Sequence, residues 1–134
     1  MAAAPKRYHH PMTWALYTAS ALLVAIALAH SYLGERYILI RLFRRDNLPK
    51  LFGGTWFTTQ TLRFAWHVTS VAWVGFAAIL VLLAHPPVTP EAIGWVVGGT
   101  FGFHGAIALV ASRGKHLAWI VFLSVAILTF WATG

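Results

Sequence analysis

His104 stands alone in "WVVGGTFGFHGAIALVAS", residues 95–112, the one titratable side chain among eighteen otherwise apolar or small residues. His30, His67 and His116 lie at comparable places, each at or near one end of another apolar stretch. Imidazole titrates near neutral pH and ligates zinc, copper, iron and haem. Four such rings, one per stretch, therefore point to three chemistries. A bis-histidine haem b needs two rings facing each other across a bundle, and His67 with His104, or His30 with His67, would supply them. A divalent metal held by His30, His67 and His104 would keep an open coordination position. A proton path is the third use. Against all three stands the purely structural role of a neutral histidine that hydrogen-bonds a neighbouring helix.

A polar stripe accompanies the rings. Gln60, Arg63, His67 and Ser70 recur at helical spacing and so share one face. Such a face must turn toward the protein interior or a wet cavity, because lipid would leave it unsatisfied. Glu35, just past His30, is placed to accept a proton or to pair with Arg63. The absence of cysteine excludes thiolate catalysis, disulfide exchange and cysteine-ligated metal centres.

The elements that must position these residues follow from composition. Of 134 residues, 59% are hydrophobic and 10% charged, and the mean hydropathy is +0.70. Soluble domains carry about 25% charged residues. Apolar spans of about 20 residues read as transmembrane helices, and four are expected, over about 12–33, 64–85, 92–112 and 116–133. The expected fold is an all-α integral membrane protein, a four-transmembrane-helix bundle forming a single membrane domain over 1–134. The first span is too long for a removable signal peptide and lacks a small-residue cleavage site.

Charge sets the orientation. Eight of the ten Lys and Arg fall in the loop 34–63 or in the short third loop with Arg113 and Lys115, against only Lys6 and Arg7 at the N-terminus. Positive charge marks the cytoplasmic side, so both termini are expected outside a bacterial inner membrane, with loop 34–63 cytoplasmic. This bias accounts for the net charge of +7 without nucleic acid. Within that loop Arg36, Arg41, Arg44 and Arg45 oppose Ile38, Leu39, Leu42 and Phe43, predicting a short interfacial amphipathic helix on anionic head groups. Thr55 or Thr59 is placed to cap the second helix, and Thr89-Pro90-Glu91 to start the third. Trp14, Trp56, Trp95 and Trp131 fall near helix ends, as an aromatic belt requires.

In the third span Gly94, Gly98 and Gly102 recur every four residues, a groove for close approach of another helix, from the same bundle or from a second copy. His104 lies on the opposite face. The functions that fit are a small haem- or metal-binding redox subunit, a non-catalytic accessory or assembly subunit of a larger membrane complex, and a small transporter or proton channel.

Overall fold

The computed structural model describes residues 10–134. Lys6, Arg7 and His9, which entered the charge and histidine counts, lie outside the described residues. The chain is all-helical, with α1 (His10–Leu33), α2 (Trp56–Leu83), α3 (Pro90–Ser112) and α4 (Ala118–Thr133). Three helical segments are long and apolar enough to cross a membrane: Met12–Leu42, Trp56–Leu83 and Pro90–Ser112. The shorter α4 has 16 residues and rises roughly 24 Å.

The amphipathic segment departs from expectation. It is not a separate helix: α1 continues through a π-helical stretch (Gly34–Leu39) into a further turn (Ile40–Leu42). No proline or polar cluster interrupts this stretch, so nothing breaks the helix before Phe43. The widened turn has a local cause. The Trp66 indole sits on Gly34, where a Cβ would overlap it, and its Nε1 donates to the His30 carbonyl at 3.0 Å. That donor competes with the helix's own amides, and a side chain inserted into the ladder widens it. Arg36 and Arg41 then flank the Tyr37 ring, each 5.8 Å from its centroid.

The second helix likewise starts earlier than expected, at Trp56 rather than residue 64. Its first two turns are polar but contain no helix breaker. Thr55 occupies the N-cap position without a side-chain cap bond, and Thr58 instead donates to the Pro49 carbonyl at 2.8 Å. A tight turn at Leu51–Gly54 precedes it, with Phe52 and Gly53 both left-handed. Lys115 and Arg113 reach this region from the third loop, Lys115 over Phe52 and Arg113 4.8 Å from the Trp56 centroid. The two basic loops are therefore joined by cation–π contacts. At the other end Thr89 caps α3 by accepting from the Ala92 amide at 3.2 Å, with Pro90 in the first turn, as its sequence requires.

The helices pack in chain order. Close backbone approaches join α1 to α2, α2 to α3 and α3 to α4, and none joins α1 to α3 or α4 among the described residues. The glycine groove is filled from within the chain. Gly94 faces Thr133, Gly98 faces the Phe130 ring, Gly102 faces Ala126 and Gly105 faces Leu123, all on α4. Outward-facing side chains are large and apolar, with Trp14, Trp95 and Trp131 each more than 70% exposed at helix ends. An exterior of that kind suits lipid rather than water.

Candidate functional site

The α1/α2 interface holds a continuous chain of polar side chains. Arg63 grips Glu35 through Nε, 2.9 Å from Oε1 and 3.1 Å from Oε2, and through a terminal nitrogen 2.7 Å from Oε1. Glu35 Oε2 lies 3.4 Å from His67 Nε2. His67 Nδ1 is 2.9 Å from Ser31 Oγ, Ser31 donates to Ser70 Oγ at 2.9 Å, and Ser70 Oγ is 3.0 Å from His30 Nδ1. Six side chains from two helices thus lie in one series, Arg63 and Glu35 at one end and His30 at the other.

Helical spacing explains how they meet. Ser31 and Glu35 are four residues apart on α1 and its continuation, while Arg63, His67 and Ser70 follow one face of α2. The facing stripes then zip together. His30 closes the series in an aromatic setting: it stacks on Trp66 at 4.6 Å, nearly parallel, and meets the Trp73 edge at 5.1 Å.

Hydroxyl bookkeeping gives the chain a direction. The single Ser31 proton goes to Ser70, so Ser31 can only accept from His67, which therefore carries a proton on Nδ1. Ser70, already accepting from Ser31, has its own proton for the bare Nδ1 of His30. Every donor in the series then points from His67 toward His30. In this orientation the neutral His67 ring has a bare Nε2 facing Glu35 Oε2 across 3.4 Å, a contact that becomes a hydrogen bond only when a proton arrives there; one taken at His67 Nε2 can release one at His30 Nε2 by concerted shifts.

Two further polar contacts lie along the α1/α2 interface toward the far end of α2. Ser20 donates to the Ala77 carbonyl at 3.0 Å, and Tyr17 Oη lies 2.9 Å from His85 Nε2 at the far end of α2. Ala77 stands seven positions beyond Ser70, roughly 10 Å of helix with Trp73 in the gap, and His85 eight positions beyond Ala77, roughly 12 Å.

His104 does not share this site. It is buried, its Nε2 donates to the Val68 carbonyl at 3.1 Å, and its ring lies against Phe101 and Phe122, on the α3 side of α2. His67 faces α1, so α2 separates the two rings. The ligand set His30, His67 and His104 is not assembled: among the described residues no group of three or more His, Cys, Asp or Glu converges as metal ligands would. His116 serves as a cap, accepting from the Ala118 amide at 3.3 Å between Phe57 and Phe64. Gln60 leaves the stripe and lines a small space with Ser112 and His116 instead. No protein-family model, curated protein or solved structure matches the chain.

The roles of Ser31, Trp66 and Trp73 were not apparent from composition or from the histidine pattern. Ser31, adjacent to His30 and four residues before Glu35, was the available signal.

Proposed function

We propose that this chain conducts protons along the α1/α2 interface, as a small proton channel or the proton-coupled part of a transporter. One observation carries the reading: the oriented hydrogen-bonded series from His67 through Ser31 and Ser70 to His30, with the Glu35 carboxylate beside His67 at its start. Intramembrane ionisable residues that pair with one another are the parts from which proton relays are made. The roughly 10 Å interruption at Trp73 is where conduction is controlled, by water entering beside the ring or by rotation of His30 past it. Haem or metal ligation by His67 with His104 has no comparable support, because α2 stands between them; His30 and His67 share the α1/α2 interface, where each ring has its Nδ1 on a serine hydroxyl.

In this reading all four helices cross a bacterial inner membrane, with both termini outside and the relay opening at the cytoplasmic loops. The α4 helix is roughly 6 Å shorter than a 30 Å hydrocarbon core, and local thinning absorbs such a mismatch at modest cost. The α1 continuation carries Arg36 and Arg41 to the anionic head groups.

Purified protein in liposomes, under a potassium diffusion potential and with a pH dye inside, tests the proposal. Wild type is expected to pass protons well above protein-free vesicles, and Ser31→Ala to reduce that flux about tenfold while leaving the melting curve intact. Absence of flux in wild type, or wild-type flux in Ser31→Ala, overturns it.

A further inference from the structure

A second feature, independent of the relay, lies at the end of the bundle where α2 begins and α3 gives way to α4. Two turns meet there. The Leu51–Gly54 turn is closed by backbone bonds in both directions, at 2.9 and 3.4 Å. The turn between α3 and α4 is pinned three times. Gly114 donates to the Leu109 carbonyl at 2.9 Å, Lys115 to the Ser112 carbonyl at 3.1 Å, and Trp119 Nε1 to the Gly114 carbonyl at 3.3 Å. Phe52 and Arg113, one in each turn, are the two residues other than glycine with a left-handed backbone among the described residues. Side chains rarely adopt that conformation, and it persists only where the surroundings enforce it.

The two turns present positive charge without a counter-charge. The Arg113 guanidinium lies 4.8 Å and the Lys115 ammonium 5.8 Å from the centroid of one indole, Trp56, and Lys115 also lies 5.4 Å from the Phe52 centroid. Aromatic faces attract cations but carry no net charge, so two like charges gathered on one ring still repel. The sequence holds only three acids, and the ion pairs among the described residues all go to Glu35, from Arg63 and His67. No carboxylate of the described chain reaches this pair. Both cations are exposed, so an external anion can.

The surroundings select the anion. Phe52 is 71% exposed, Leu117 67% and Leu51 49%, so large apolar side chains border the two charges. A soluble polyanion would leave them in water, whereas a phospholipid offers a phosphate and acyl chains together. We propose that this corner seats one anionic phospholipid, its phosphate bridging Arg113 and Lys115 and its acyl chains passing Phe52 and Leu117 into the bilayer. Trp56, which opens α2, then stands at the membrane–water interface, where indoles are enriched. The site differs from the diffuse attraction of Arg36 and Arg41 for head groups in fixing a single molecule.

The full chain is placed in nanodiscs of equal phosphatidylcholine and phosphatidylglycerol, and the lipids it retains are counted by native mass spectrometry. Wild type should retain one phosphatidylglycerol in preference to phosphatidylcholine. A cation near the surface contributes about fivefold to holding an anionic lipid, so Arg113→Gln/Lys115→Gln should lose about thirtyfold of that preference. Arg36→Gln/Arg41→Gln removes the same charge elsewhere and should keep the preference. No preference in wild type, or an equal loss in both double variants, overturns the proposal. A second measurement uses wild type labelled with ¹⁵N-lysine, of which the chain has three. The Lys115 Nζ resonance should move between phosphatidylcholine and phosphatidylglycerol discs, and inorganic phosphate added to the former should not reproduce the movement. A stationary resonance, or the same movement with inorganic phosphate, overturns the proposal too, the latter by revealing a site for soluble anions. Should Arg113→Gln/Lys115→Gln fail to fold, this second measurement decides.

Discussion

The glycines of α3 offer a graded test of how α3 and α4 are held together. Without a hydrophobic driving force between helices in lipid, close backbone packing is the main source of cohesion. A Cβ at Gly98 would lie 2.6 to 2.9 Å from three carbons of the Phe130 ring. Carbon atoms prefer about 3.5–4.0 Å, so the ring must shift by roughly 1 Å. At Gly102 the nearest atom is Ala126 Cβ at 3.7 Å, an ordinary contact. At Gly105 the obstruction includes the Leu123 backbone nitrogen at 3.1 Å, which no rotamer change can move. Substituting alanine at each position adds the same helix-propensity gain, about 1 kcal/mol, which cancels when the variants are compared. Overpacking of a close contact costs about 1–3 kcal/mol. Gly98→Ala and Gly105→Ala should therefore be less stable than Gly102→Ala by about 1–3 kcal/mol, with Gly105→Ala the worst. Reversible unfolding in mixed micelles, followed by tryptophan fluorescence, measures these differences. Equal stabilities, or a Gly102→Ala as damaged as Gly98→Ala, would refute the packing argument. A Gly98→Ile variant that keeps its melting curve but loses intermolecular crosslinking would assign the groove to a second copy instead.

Gly34→Ala places a methyl group inside the Trp66 indole, so it should displace that ring from His30 and lower proton flux, read in the same liposomes together with a shift of tryptophan emission. Glu35→Gln keeps the shape of the Arg63 contact but removes the charge beside His67; flux should fall while stability changes by less than about 1 kcal/mol, since the pair is 30–37% exposed and such pairs contribute little. A reporter that matures only in the cytoplasm, fused after Gly134, should stay dark; bright fluorescence would reverse the proposed orientation.

Fold and site were legible to different depths. The apolar spans gave the helices because length and composition alone decide which segments suit a bilayer. Their ends were harder to read. The first turns of α2, Trp56 to Arg63, hold too many polar residues to extend the apolar run, yet Thr58 finds the Pro49 carbonyl and the helix forms there. The α1 continuation was misplaced for a related reason: a helical wheel shows that arginines and apolar residues oppose each other over residues 36–45, but not whether that amphipathic turn leaves the axis. Its fate depends on Trp66, thirty-two residues beyond Gly34, and no local pattern encodes that contact. The stripe of Arg63, His67 and Ser70 was visible as a face, and the Glu35–Arg63 pair could be anticipated from their charges and proximity to the same surface. Grouping His104 with His67 failed because depth in the membrane fixes only one coordinate of a side chain. The direction in which each ring faces is the other, and packing in chain order sends them to opposite sides of α2.

That separation makes α2 the element on which both the relay and the position of His104 depend. Its α1-facing side carries Arg63, His67 and Ser70, whereas its α3-facing side sends Gln60 toward Ser112 and His116 and lends the Val68 carbonyl to His104. Val68 follows His67 directly, so consecutive residues serve the two sites, one by its side chain and the other by its backbone. A small rotation of α2 about its axis would change the 3.4 Å gap from His67 to Glu35 and the 3.1 Å bond from His104 to Val68 together.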